Sequence, residues 1–89
     1  MSNNDAEAIL DQVTRIADYE ALREVANQLA GLLVARQLAA GTDEEAQAWR
    51  HEHRALRTRL EEIQPGTPAV AEALHEWSGR LGALRGGAA

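Results

Sequence analysis

The chain contains no cysteine, no lysine and no phenylalanine, and only two prolines in 89 residues. Without cysteine it has neither disulfides nor thiolate chemistry. Its longest apolar stretch, residues 29–35, is far too short to span a membrane. The first residues are polar and acidic, unlike a signal peptide, so we expect a cytoplasmic protein.

Large side chains for a core are also scarce. The chain has one tyrosine and two tryptophans, whereas alanine occurs 18 times and leucine 11 times. A chain of this length forms one domain with a thin core, and alanine adds little buried area per residue. Such domains often gain stability by association. We therefore expect residues 1–89 to form a single helical domain with disordered ends at residues 1–4 and 86–89. We also expect a homo-oligomer or a complex with a dedicated protein partner.

The net charge of −5 is distributed unevenly. Residues 1–45 contain nine acids and three arginines, whereas residues 46–89 contain five acids and six arginines. An acidic half argues against nucleic-acid binding, which requires clustered positive charge. We therefore predict neither a nucleic-acid nor a membrane partner. The acidic half could face a basic protein or could simply be a solvated surface.

The apolar spacing predicts an all-α fold, an antiparallel bundle of three to four helices over residues 5–17, 19–40, 43–63 and 68–84. Alternating steps of four and three keep side chains on one face of a helix. Two such seams occur, at Trp49, His53, Leu56, Leu60 and Ile63, and at Val70, Leu74, Trp77, Leu81 and Leu84. Because proline and glycine separate the two seams, we predict a C-terminal helical hairpin whose seams can close on each other.

The first 30 residues contain no glycine and no proline, but their apolar pattern changes phase. Ile9, Val13 and Ile16 form one stripe, and the residues that follow form another. We therefore predict a kink or short break at residues 17–19. The alternative is an unbroken helix over residues 5–40. It would be about 54 Å long, would extend past its partner helices and would favour a dimer.

Local signals predict the ends of the later helices. Gly41 is a typical helix stop, and Thr42 followed by three acids forms a capping box. Thr67 precedes Pro68, which suits the first position of a helix.

Seven residues are candidates for contact with a partner. The middle helix carries small residues that allow close helix approach, and it is apolar on more than one side, which predicts burial on more than one side. We expect the two tryptophans to be buried and stacked in the hairpin; an exposed one would be an interaction hot spot. The candidate partner-binding residues are Ala30, Gly31, Leu33, Val34, Leu38, Trp49 and Trp77.

An alternative is a metal- or ligand-binding bundle. Glu72 and His75 have the i, i+3 spacing that supplies two ligands in carboxylate-bridged di-iron bundles. The segment Glu52-His53-Arg54-Ala55-Leu56-Arg57 resembles the first ligand segment of hemerythrin-type domains. This resemblance implies a metal site that uses Glu52, His53, Glu72 and His75. The competing interpretation is a hydrogen-bonded core histidine and a solvated Glu–His pair.

A second alternative concerns the C-terminal segment. Leu81-Gly82-Ala83-Leu84-Arg85-Gly86 resembles the C-terminal loading peptides of encapsulin cargo proteins. That resemblance implies a cargo protein with a loading segment. The two leucines also complete the second helical seam, which explains them without cargo loading.

Catalytic patterns are weak. Ser78 lies in no turn that would expose a nucleophile, and no glycine-rich phosphate loop follows a strand. Small helical chorismate mutases are similar in length and helix order, but their dicarboxylate pocket includes a lysine, which this chain lacks. We therefore predict no enzyme and no cofactor. The chain is interpreted as a self-associating, non-catalytic protein–protein interaction module such as an adaptor, an inhibitor or an antitoxin-like regulator.

Overall fold

The computed structural model describes residues 3–86 as three helices, α1 (Asn3–Ala39), α2 (Asp43–Glu62) and α3 (Pro68–Arg85). The predicted all-α architecture is confirmed. Of the predicted disordered ends, residues 1–2 and 87–89 lie outside the described residues. Asn3 and Asn4 belong to α1, and the backbone N–H of Gly86 caps α3. No helix in the described range is long and apolar enough to cross a membrane.

The first helix is continuous, so the predicted break at residues 17–19 is wrong. The change of apolar phase marks the point where the apolar side chains shift from one face of the unbroken helix to another. Beyond it, Leu22, Leu29 and Leu33 are fully buried, whereas the three apolar residues of the earlier stripe are exposed. The apolar pattern was compatible with a break in the helix or with a shifted apolar face on an unbroken helix, and the structure shows the unbroken helix.

The local end signals act largely as predicted. The Thr42 hydroxyl accepts from the Glu45 N–H at 3.1 Å, and the Glu45 carboxylate accepts from the Gly41 N–H at 3.2 Å. Thr67 precedes α3, but its hydroxyl donates to the Gln64 carbonyl at 2.7 Å and so stabilises the turn rather than the helix.

Both shorter helices pack closely on α1, whereas their own backbones stand farther apart. No Cα atom of α2 lies within 8 Å of one in α3. The predicted C-terminal hairpin is present. Its two seams share one core with α1, and they meet each other through side chains such as Arg59 over Trp77 rather than through close approach of the two backbones. The core consists of Leu22, Ala26, Leu29, Ala30, Leu33, Leu56, Ile63, Val70, Ala73, Trp77, Leu81 and Leu84.

The molecule is elongated because α1 is longer than its partners. With 37 residues α1 is about 55 Å long, whereas the 20 residues of α2 span about 30 Å. The turn between α2 and α3 lies beside α1 at Arg15, close to Gly66. Residues 5–16, called the arm here, therefore lie at and beyond the end of the bundle. The overall extents of 62 × 27 × 15 Å reflect this projection.

Candidate functional site

The largest uncovered apolar surface of the described residues lies along α1. Six large apolar side chains are 39–80% exposed, and all belong to this helix. At about 100° per residue they are centred roughly 160° around the helix axis from the buried leucines. We call them the outer face: Ile9, Leu10, Val13, Ile16, Val34 and Leu38.

The outer face is apolar at both ends and polar in the middle. Four of its residues lie in the arm, and two lie near the end of α1. Between them Glu20, Arg23 and Asn27 are exposed on the same side. Neither Glu20 nor Arg23 makes a hydrogen bond or ion pair to another described residue. Exposed clusters of large apolar side chains such as these two are typical of an interaction site rather than of a solvated helix.

The predicted partner-binding residues divide into two groups. Gly31, Val34 and Leu38 are exposed and lie on this side of α1. Ala30 and Leu33 are buried against the other helices, so they stabilise the fold and are not available to a partner. One apolar side of the middle helix is thus buried in the core, and the other is exposed on the outer face.

The two tryptophans do not form the expected stack. Trp77 is buried, and Trp49 is half-buried. Each ring is covered by a guanidinium group from the opposite helix. Arg59 lies 5.6 Å from the centroid of Trp77, and Arg80 lies 5.7 Å from that of Trp49. Each tryptophan ring thus packs against an arginine, where we expected it to pack against the other tryptophan.

These arginines also bridge α2 and α3. Arg80 donates to both carboxylate oxygens of Glu52, at 2.8 Å and 2.7 Å, and Arg59 pairs with Glu76. The hydrogen bond to Glu52 raises the pKa of Arg80, against a smaller opposing effect of burial. Because the guanidinium is ionised at all physiological pH values, the bridge is not a pH switch.

A cleft of about 250 Å³ lies between the two bridges. Its floor includes Leu29 of α1 and Leu56 of α2, and its walls carry the paired arginines and glutamates. The charged groups at its mouth satisfy each other. The four charged side chains of the walls are therefore engaged with each other.

The predicted metal ligands are not assembled. Glu52 is engaged by Arg80, His53 is half-buried on α2, and Glu72 and His75 are exposed on α3. Among residues 3–86, no three His, Asp or Glu side chains are grouped closely enough to hold a metal ion.

The segment that resembles a cargo-loading peptide is part of the fold. Leu81 and Leu84 are buried in the core, and the Leu84 carbonyl accepts from Arg36 of α1 at 3.0 Å. Release of this segment for loading would therefore expose core leucines.

Comparison with protein-family models, curated proteins and solved structures finds no match.

The sequence analysis described Ile9, Val13 and Ile16 as an apolar stripe and did not name them among the candidate partner-binding residues. The available signal was the change of phase after residue 16, since a single core can bury only one face of a straight helix. The arginine partners of the tryptophans had no comparable signal, because their positions depend on how far α2 and α3 stand apart.

Proposed function

We propose that this chain is a non-catalytic protein–protein interaction module that self-associates, and that the outer face of α1 is its contact surface. The supporting observation is that, among the residues whose burial is described, all six exposed large apolar side chains lie on one side of one helix. Adaptor, inhibitor and antitoxin-like roles all work through such a surface, and none of them needs a catalytic group.

The burial pattern supports this proposal over a solvated helix. Isolated apolar residues are common on protein surfaces, but two clusters of large apolar residues on the same side of one helix are not. The arm also has no partner helix in the described chain, and isolated helical segments of about 12 residues are marginal in water. A partner that covers the outer face would therefore stabilise the arm as well.

The first experiment is the mass in solution, measured by light scattering over a hundredfold range of concentration. We expect a dimer that dissociates on dilution. The variant Ile16→Asp places a charge on the outer face and should weaken association by about tenfold or more, because a buried unpaired carboxylate is strongly unfavourable.

The matched control is Thr58→Asp, which adds the same charge at an exposed position of α2. It should leave the mass unchanged, and circular dichroism should show equal helix content in both variants. A wild-type chain that stays monomeric at the highest concentration contradicts self-association.

A further inference from the structure

The two ends of the outer face have matching spacing. From Ile9 the outer face continues four residues to Val13 and then three residues to Ile16. This is the direction of increasing residue number, from the arm towards the bundle.

The other end repeats these steps in reverse. From Leu38 the outer face continues four residues back to Val34, and three residues further back on the same side lies Gly31. In an antiparallel helix pair, positions that meet are counted forwards on one helix and backwards on the other. In such a pair, the mirrored steps would place each of the three arm residues of one chain opposite one of the three residues near the end of α1 in the other chain.

We propose that the occupant of the outer face is a second copy of this chain, with the two α1 helices antiparallel around a two-fold axis. This inference rests on the proposed self-association and specifies its geometry. The register pairs Ile9 with Leu38, Val13 with Val34 and Ile16 with Gly31 of the second copy, and the two-fold axis repeats each pair.

Side-chain size agrees with this register. Ile16 is the arm residue nearest to the bundle, and it comes level with Gly31, which has no side chain. Apart from the adjacent residues and the nearby backbone of its own helix, a Cβ atom built at Gly31 meets no heavy atom within 4 Å, so the space above it is open to a neighbour. Glycine permits close approach of another chain to the helix backbone.

The polar centre of the outer face agrees as well. The same steps of four and three bring Glu20 level with Asn27, and Arg23 level with Glu24, of the second copy. The antiparallel pair thus contains opposite charges at its centre, and its helix dipoles are aligned favourably. A parallel pair would place each charge beside its own copy, and like charges at close range are unfavourable.

Pairing through the arms alone is less favourable. It would leave Val34 and Leu38 exposed. Only the long overlap covers both ends of the outer face.

The contact is large enough for a specific but dissociable dimer. An overlap from residue 9 to residue 38 is about 45 Å long and about 12 Å wide, or roughly 550 Å² on each chain. Specific interfaces typically bury about 800 Å² per partner, and weaker ones bury about 600 Å² or less. The estimate therefore implies a dimer that dilution can dissociate.

The test uses the absence of native cysteine. Val13→Cys and Val34→Cys are prepared singly, and each is oxidised mildly alone and in a 1:1 mixture at a concentration where the wild type is dimeric. A disulfide requires Cα atoms within about 7 Å, so it reports which positions meet. Thr58→Cys, at an exposed site of α2, measures the background from random collisions.

We expect the mixture to form a cross-linked dimer several-fold above the Thr58→Cys background, and neither variant to do so alone. Cross-linking of Val13→Cys to itself would overturn the register in favour of a parallel or arm-only pair, while self-association would stand. A dimer by light scattering with no cross-link above background would place the interface elsewhere and also overturn the register. A wild-type chain that is monomeric at every concentration would refute both proposals.

Discussion

Residues 5–16 and 22–33 belong to one continuous helix and contain similar shares of apolar residues, yet they differ in what covers them. In the second stretch, Leu22, Leu29 and Leu33 are enclosed by α2 and α3. In the first, Ile9, Val13 and Ile16 remain at least half exposed. The same helix thus provides the centre of one core and, in the proposed dimer, half of a second contact. Apolar periodicity alone establishes that a face is to be buried, and not whether the covering element is in the same chain.

The largest expected effect is the difference in stability loss between truncating a buried and an exposed leucine near the end of α1. Leu33→Ala should lower the free energy of unfolding by about 2–5 kcal/mol, because it leaves a cavity in a thin core. Leu38→Ala removes the same atoms from a side chain that is 80% exposed and should change the monomer by less than about 0.5 kcal/mol. Urea unfolding at a concentration where the chain is monomeric measures both. Equal effects would mean that the two faces are not distinct.

The boundary between arm and bundle can be tested at Gly66. Its φ of +79° is in the left-handed region, and an added Cβ would lie 3.0 Å from the Arg15 Cδ. Gly66→Ala should destabilise the fold by about 1–2 kcal/mol. The control Gly79→Ala, on an open part of α3, should stabilise it by about 0.5–1 kcal/mol. A stabilising result at Gly66 would mean that the turn is not held against α1.

A smaller effect is expected at the ion pair that links α2 and α3, the two helices that cover residues 22–33. Arg80→Ala removes the Glu52 ion pair and the contact with Trp49. Since both charged side chains are substantially exposed, the loss should be within about 1 kcal/mol, and partly screened by salt. Thermal unfolding at low and high salt measures it. A loss of several kcal/mol would show that α2 and α3 depend on this bridge to stay in place.

The smallest effect on stability is expected in the arm. Ile16→Ala should change unfolding of the monomer by less than about 0.5 kcal/mol, because the side chain is half exposed. Backbone amides of the arm should exchange with solvent much faster than those of residues 22–33 in dilute solution, and more slowly at high concentration. Arm exchange that is slow and independent of concentration would indicate cover from within the chain.

The sequence predicted α2 and α3 closely, since Gly41, Thr42 and Pro68 act through hydrogen bonds and backbone restrictions within a few residues. It did not predict the continuity of α1, because the phase change after Ile16 depends on where α2 and α3 end in space. Of the candidate surface, Gly31 was identified as a small residue that allows close helix approach, and Val34 and Leu38 were identified because they make the helix apolar on more than one side. The arm residues were not, because an exposed apolar stripe and a core stripe have the same spacing.

The positions of the two tryptophans give the molecule a selective optical signal. Trp49 and Trp77 lie on α2 and α3, each under an arginine, and the arm and the outer face contain no tryptophan. Indole emission should therefore respond when the bundle opens and should change little when two chains separate. A fluorescence unfolding curve and a mass-versus-concentration curve then report two different equilibria of the same sample, without any added label.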